Sequence, residues 1–80
     1  MATCYVPSNF ILSIGGDPGL KTVEYHDLTS NSWHNLPDLN IGRDAASACY
    51  LANHVYVFCG MDSNGEYLDS IESLCVENLE

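Results

Sequence analysis

A short apolar run that ends at glycine occurs twice in this chain. Residues 11–16 read ILSIGG, and residues 55–60 read VYVFCG. When these runs are overlaid, Val23-Glu24 falls on Ile71-Glu72, with a longer loop in the second copy. The chain therefore holds about one and three-quarter copies of a unit that repeats at roughly 45–50 residues. Such a repeat constrains the fold strongly, because single units cannot bury their apolar faces alone.

Each unit is built from short strands. Apolar runs rich in Val, Ile, Tyr and Phe alternate with clusters of Gly, Pro, Asn, Asp and Ser, which is typical of β-strands joined by turns. Pro37 would remove a ladder hydrogen bond, so the strand before it should lie at a sheet edge. A repeat of this length with four strands is typical of a β-propeller blade. The predicted strands are 9–14, 22–28, 32–36, 47–52, 54–59 and 70–76.

The charge balance narrows the classes of partner. Eleven acidic residues stand against two basic ones, Lys21 and Arg43, in a chain of 80 residues with net charge −9. Nucleic acid and anionic membrane surfaces are disfavoured, because both require clustered positive charge. The acids are spread along the chain, which fits a solvated surface or a surface that meets a basic partner.

Four cysteines could form two disulfides, so cellular context decides their state. The first residues lack the basic and long apolar stretches of a secretion signal, and no apolar run approaches membrane-spanning length. We therefore expect a cytoplasmic protein with free thiols. Cys49, Cys59 and Cys75 are expected to act as small buried apolar residues.

No cofactor, metal site or catalytic site is expected. The three histidines are not at ligand spacing with the cysteines. Asp62, Asn64 and Glu66 faintly resemble part of a calcium loop, but the remaining ligands are missing, which favours a solvated turn. No nucleophile-elbow or Cys-His signature is present, so the chain is not expected to be an enzyme.

The repeated unit resembles a kelch repeat. That motif has an apolar strand, a glycine doublet, Val-Glu-x-Tyr-Asp, a tryptophan, then Leu-Pro and an arginine at the next blade. The first copy matches at Gly15, Gly16, Val23, Glu24, Asp27, Trp33, Leu36, Pro37 and Arg43. The second copy matches at Val55, Tyr56, Val57, Gly60, Leu68, Ser70, Ile71 and Glu72. It departs from the motif at His26, Cys59, Leu74 and Cys75.

The resemblance implies an all-β fold made of antiparallel four-stranded blades, an incomplete kelch-like β-propeller with fewer than two blades. Residues 1–8 would form an N-terminal segment, 9–43 a partial blade with strands two to four, and 44–80 a second blade with strands one to three. Trp33 is expected to be largely buried against strands 47–52 and 54–59. The structural residues of the motif would be Gly15, Gly16, Glu24, Asp27, Trp33, Leu36, Pro37, Gly60 and Glu72.

The resemblance also implies a protein–protein interaction module. The specific roles it suggests are substrate recognition for a ubiquitin ligase, or cytoskeletal binding, within a longer chain. Loops 17–21, 39–44 and 61–69 would share one face. The residues expected to bind a protein partner are Asp17, Lys21, Arg43, Asp44, Asp62, Asn64, Glu66 and Tyr67. Two roles are open for Arg43: a brace at the blade junction that pairs with Glu24, Asp27 or Asp44, which is favoured, or a residue that points at a ligand from the propeller rim.

Two further readings stay open at this point. The chain could be a truncated or vestigial kelch fragment with no binding role of its own, which flanking repeat units would argue against. Open blade edges also permit self-association, because an unpaired strand edge is a template for pairing with another chain.

Overall fold

The computed structural model describes residues 1–7, 9–17 and 19–77. In this part of the chain, five-residue strands are joined by turns and loops, and no helix is present. The strands are β1 (Ala2–Val6), β2 (Phe10–Ile14), β3 (Val23–Asp27), β4 (Ser32–Leu36), β5 (Ser47–Leu51), β6 (His54–Phe58) and β7 (Ile71–Cys75).

The strands form two antiparallel sheets. Sheet 1 has the order β1-β2-β3-β4 and sheet 2 the order β5-β6-β7, so each strand pairs with its neighbours in sequence. The predicted fold class, an all-β chain with an incomplete set of kelch-like blades, is confirmed. Strand β4, which precedes Pro37, is an edge strand, as predicted. Strand β7 is an edge strand of sheet 2.

Strand β1 was not predicted. It pairs with β2 along its whole length, from Ala2 opposite Ile14 to Val6 opposite Phe10. Its alternation places Ala2, Cys4 and Val6 inward and leaves the residues between them exposed. The segment 1–8 therefore contributes the first strand of sheet 1, and the proposed boundaries at 9–43 and 44–80 stay predictions.

The two sheets pack face to face. We call the face of sheet 1 that contacts sheet 2 its front face, and the opposite one its back face; sheet 2 contacts sheet 1 through its own back face. Strand β1 lies against β5 and β6. The buried residues of this interface include Leu12 and Ile14 from sheet 1 and Val55 and Val57 from sheet 2. Burying such side chains is the main source of stability in a chain this small.

Equivalent residues of the two sheets point in the same direction. The overlay of the glycine doublets places Phe58 at the position of Ile14. Ile14 is buried on the front face of sheet 1. Phe58 pairs opposite Ser47, out of phase with buried Val57, and so lies on the front face of sheet 2, away from sheet 1. Successive sheets are therefore stacked front to back, as blades are in a propeller.

The expected burial of Trp33 against the second unit is wrong. Trp33 is 58% exposed. It lies opposite His26 in the β3–β4 ladder, with the two rings 4.7 Å apart between centroids. Because side chains alternate along a strand, this register places Trp33 on the back face of sheet 1, while sheet 2 covers the front face.

The expected burial of three cysteines is also wrong. All four cysteines are free, but only Cys4 is buried, and Cys49, Cys59 and Cys75 are exposed. Cys49 and Cys75 lie on the front face of sheet 2, which nothing covers among the described residues. Cys59 adopts a left-handed φ of 57°, close to the 65° of its counterpart Gly15. The same sharp turn therefore ends both copies of the apolar run.

Candidate partner-binding loops

The loops that follow β2, β4 and β6 lie together at one end of the sheets. The amide of Gly16 donates to the carbonyl of Arg43 at 2.8 Å, and the amide of Arg43 donates to the carbonyl of Leu20 at 3.0 Å. Gly42 packs so closely on Gly19 that a Cβ there would overlap the Gly19 carbonyl. The backbone of Gly19 in turn lies against Ser63. We call residues 15–22, 37–44 and 60–70 the loop end.

Arg43 braces the loop end from inside. It is only 1% exposed. Its guanidinium donates at 2.8 Å to the carbonyls of Cys59 and Ser70 and to the Ser70 hydroxyl. Nη2 also lies 3.3 Å from Oε2 of Glu72. A planar group with several fixed donors suits this role, because one side chain can tie together several acceptors.

Glu72 anchors the linker between the two sheets. Its carboxylate accepts hydrogen bonds from the amides of Asn40 at 2.7 Å and Ile41 at 3.0 Å. Burial raises the pKa of this carboxyl, but the two amides and the Arg43 guanidinium outweigh that effect and hold the pKa below its usual range. Glu72 is therefore held as a charged acceptor between the linker and β7.

Arg43 acts as a brace in the structure, but its acidic partner is not one of the expected residues. Arg43 pairs with Glu72, not with Glu24, Asp27 or Asp44 as expected. The amides of Asn40 and Ile41 in the linker after Pro37 bind Glu72, so the linker brings Arg43 to the carboxylate of the next unit. Because the guanidinium is buried, it cannot reach a partner at the surface in this conformation.

The loop between β6 and β7 is closed by Asp62. Its carboxylate Oδ1 accepts from the amides of Asn64 at 2.9 Å and Glu66 at 3.0 Å. The backbone of Asp62 also exchanges hydrogen bonds with Gly65 and Glu66. This local capping by an aspartate is common in tight turns, and it fixes the position of Tyr67 just beyond the turn.

The loop end exposes apolar side chains among acidic ones. Tyr67 is 86% exposed, and Leu20 and Ile41 are also exposed. Sequence analysis included Tyr67 among the binding residues but missed the other two. Their signal was available: each is a large apolar residue in a polar, glycine-containing loop, outside the strand periodicity.

The predicted partner-binding residues all belong to the loop end. Asp44 and Asp62 are half-buried and Arg43 is buried. The backbones of Asp44 and Met61 exchange two hydrogen bonds of 2.8 Å, which joins the linker to the β6–β7 loop. The exposed members are Asp17, Lys21, Asn64, Glu66 and Tyr67.

The remaining motif residues have separate local positions. Asp27 accepts at Oδ1 from the amides of residues 29 and 30, which shapes the β3–β4 turn. Leu36 packs against the core, and Pro37 is exposed directly after β4. Glu24 is exposed on the back face of sheet 1.

Within residues 1–7, 9–17 and 19–77, no three His, Cys, Asp or Glu side chains are grouped closely enough to hold a metal ion. No helix in the same ranges is long and apolar enough to cross a membrane.

Comparison with known proteins gives short matches to much longer chains. No family model matches this chain. An F-box/kelch-repeat protein of Arabidopsis thaliana is 40% identical over 40 residues, which cover 50% of this chain and 11% of that protein. Kelch-like protein 4 of Homo sapiens is 37% identical over 51 residues, which cover 64% of this chain and 7% of that protein.

This chain therefore spans only about a tenth, or less, of the curated relatives it matches. Their names nonetheless agree on the repeat type. Both relatives are kelch-repeat proteins, and the resemblance to kelch repeats that the motifs predicted is confirmed.

Proposed function

We propose that this chain is a protein-interaction module that contacts its partner through the loop end. The observation that carries the proposal is Tyr67, which is 86% exposed on a loop held by hydrogen bonds to the rest of the loop end. Exposed aromatic residues on a rigid support are typical anchors of protein interfaces.

The composition of the loop end suggests the kind of partner. Leu20, Ile41 and Tyr67 supply apolar contact area. Exposed acids, including Asp17 and Glu66, lie around them, and Lys21 is the one exposed basic side chain among the described residues of the loop end. A partner with an apolar patch bordered by Lys or Arg would match this arrangement, because complementary charge favours encounter and orientation.

The kelch resemblance suggests two specific roles. The first is substrate recognition for a ubiquitin ligase and the second is cytoskeletal binding, each within a longer chain. Both are protein recognition, and both would use a loop surface on a rigid scaffold. The cytoplasmic location and the absence of enzymatic activity expected from the sequence stay predictions.

The proposal can be tested by capturing proteins from a cell lysate on the immobilised chain. The test variant Tyr67→Ala/Glu66→Lys removes one anchor and reverses one charge at the loop end. The matched control Leu28→Ala/Glu77→Lys makes equivalent changes at exposed positions of the opposite end. We expect the test variant to lose at least about 10-fold of the captured protein, which corresponds to about 1.4 kcal/mol, and the control to lose little.

Salt dependence adds an independent readout. Capture through an acidic surface should weaken as ionic strength rises, because added salt screens exposed charges. Equal capture by the wild type and the loop-end variant would contradict the proposal. Failure of the wild type to capture any protein above background would instead support the vestigial reading.

A further inference from the structure

Two large sheet faces stay open within the part of the chain that the structure describes. The back face of sheet 1 presents Tyr5, Ile11 and Trp33, of which Tyr5 and Trp33 are each 58% exposed. The front face of sheet 2 presents Leu51, Phe58 and Ile71, of which Leu51 and Ile71 are exposed. Large apolar side chains left exposed on one sheet face commonly mark an interface.

The internal interface shows what covers such a back face. In sheet 2, Tyr50 and Val55 pair opposite one another on the back face, and Val55 is fully buried against sheet 1. In sheet 1, the equivalent pair is Tyr5 and Ile11. The same combination of an aromatic and a β-branched side chain is therefore covered in one sheet and open in the other.

The internal interface also shows what covers a front face. The front face of sheet 1 buries Leu12 and Ile14 of β2 against sheet 2. Tyr56 and Phe58 of β6 occupy the equivalent positions on the front face of sheet 2, where both are half-buried. The front face of sheet 2 thus keeps large aromatic side chains at the positions that sheet 1 buries. The back face of sheet 1 keeps the pair Tyr5 and Ile11, with Ser13 at the position of Val57.

We propose that a second copy of this chain docks head to tail, placing the front face of its sheet 2 on the back face of sheet 1. The new contact would continue the front-to-back stacking that already joins the two sheets. It is heterologous, since different surfaces meet, so repeated docking generates a ring if the rotation closes and an open filament if it does not. The inference is independent of the function proposed for the loop end.

The distribution of charge permits this association despite the net charge of −9. Among the described acidic residues, Glu24 is the only one on either open face. The others lie in loops, in turns or on the covered faces. The faces can therefore meet with little like-charge repulsion, and the remaining repulsion is screened by physiological salt beyond about 8 Å.

A complementation experiment tests the geometry. Tyr5→Lys blocks the back face of sheet 1, and Leu51→Lys blocks the front face of sheet 2; both side chains are exposed, so the fold should tolerate them. In sedimentation velocity, the wild type should associate as its concentration rises, while each variant alone should stay monomeric. An equimolar mixture should form a one-to-one dimer of about twice the 8.8 kDa chain mass.

The mixture dimerises because each variant retains the face that the other has lost. A monomeric wild type, or a mixture that stays monomeric, would overturn the proposal. Persistent association of both variants alone would also overturn it, and would favour pairing through the edges of β4 and β7. Should circular dichroism show either variant unfolded, the pair Trp33→Lys and Ile71→Lys provides the same test at exposed positions.

A spectroscopic readout in the wild type reports the same contact. Trp33 is the only tryptophan in the chain, and it lies on the back face of sheet 1. Head-to-tail association should shift its fluorescence to shorter wavelength as concentration rises. The exposed-residue control Leu28→Lys, in the β3–β4 turn, should show the same shift. Association without any shift would contradict docking on the back face.

Discussion

The two sheets present the same residues in different surroundings. Tyr5 and Tyr50 occupy equivalent positions on the back faces, yet Tyr5 is largely exposed and Tyr50 packs against the core. Cys4 and Cys49 occupy equivalent positions on the front faces, yet only Cys4 is buried. Burial in this chain is therefore set by the neighbouring sheet rather than by the position within the unit.

Two glutamates extend the comparison from packing to electrostatics. Glu24 and Glu72 stand at the same position of the repeat, opposite Ser13 and Val57 respectively. The Glu72 carboxylate accepts hydrogen bonds from two linker amides and pairs with the Arg43 guanidinium, whereas Glu24 is exposed. The same carboxylate becomes structural only where a preceding linker delivers its partners.

Removal of Arg43, which braces sheet 2 but has no counterpart at Glu24 among the described residues, should lower the free energy of unfolding more than any other substitution described below. Arg43→Met leaves Glu72 without its cation and the carbonyls of Cys59 and Ser70 without a donor, so we expect a loss of about 3–5 kcal/mol in the free energy of unfolding. The control Lys21→Met removes the other, exposed, positive charge and should change stability by less than about 0.5 kcal/mol. Urea denaturation measures both, and similar losses in the two variants would break the comparison.

Truncation of Tyr50 and Tyr5 to alanine should lower the free energy of unfolding by different amounts, because only Tyr50 packs against the core. Tyr50→Ala removes a half-buried side chain from the core and should cost about 2 kcal/mol, less than a fully buried aromatic residue. Tyr5→Ala removes the equivalent exposed side chain and should cost less than about 0.5 kcal/mol. Thermal unfolding at low protein concentration avoids any contribution from association. Equal costs would show that sheet 2 does not cover its back face as described.

The pH dependence of stability should show a smaller effect, which arises at Glu72. The folded-state pKa of Glu72 lies below its unfolded value, so its stabilisation is complete above about pH 4.3, the ordinary value for glutamate. It is lost as pH falls toward the folded-state pKa. Glu72→Gln should therefore be less stable than the wild type at pH 7 and approach it in acid. Glu24→Gln, at the exposed equivalent position, should change the free energy of unfolding at pH 7 by less than about 0.5 kcal/mol. A larger loss from Glu24→Gln than from Glu72→Gln would contradict the assignment.

Much of the fold could be predicted because turn residues mark the ends of the strands. Gly15-Gly16 and Cys59-Gly60 fixed the overlay of the two units, and from it the order of strands. Strand β1 was missed because Ala2 and Cys4 give its inward face little apolar bulk, although Thr3, Tyr5 and Val6 favour strands. Its inward side chains become recognisable only when paired with β2.

Contacts between units were harder to predict. The direction in which Trp33 points depends on which face of its sheet a neighbour covers, and local sequence does not specify that. Arg43 was correctly given a bracing alternative, but its partner Glu72 lies far along the chain. The linker selects Glu72 because its amides bind that carboxylate, and this contact depends on how the two sheets pack.

The accessibility of Cys4 and Cys49 tests most directly whether the two sheets are copies stacked front to back. Burial, and to a lesser extent the nearby Cys49, raises the pKa of the Cys4 thiol, so Cys4 should react slowly for two reasons. Alkylation of dilute native protein, followed by mass spectrometry of each cysteine, should show Cys49 reacting at least about 100-fold faster than Cys4. The rates should converge in denaturant. Similar rates at the two thiols in native buffer would contradict the stacked arrangement.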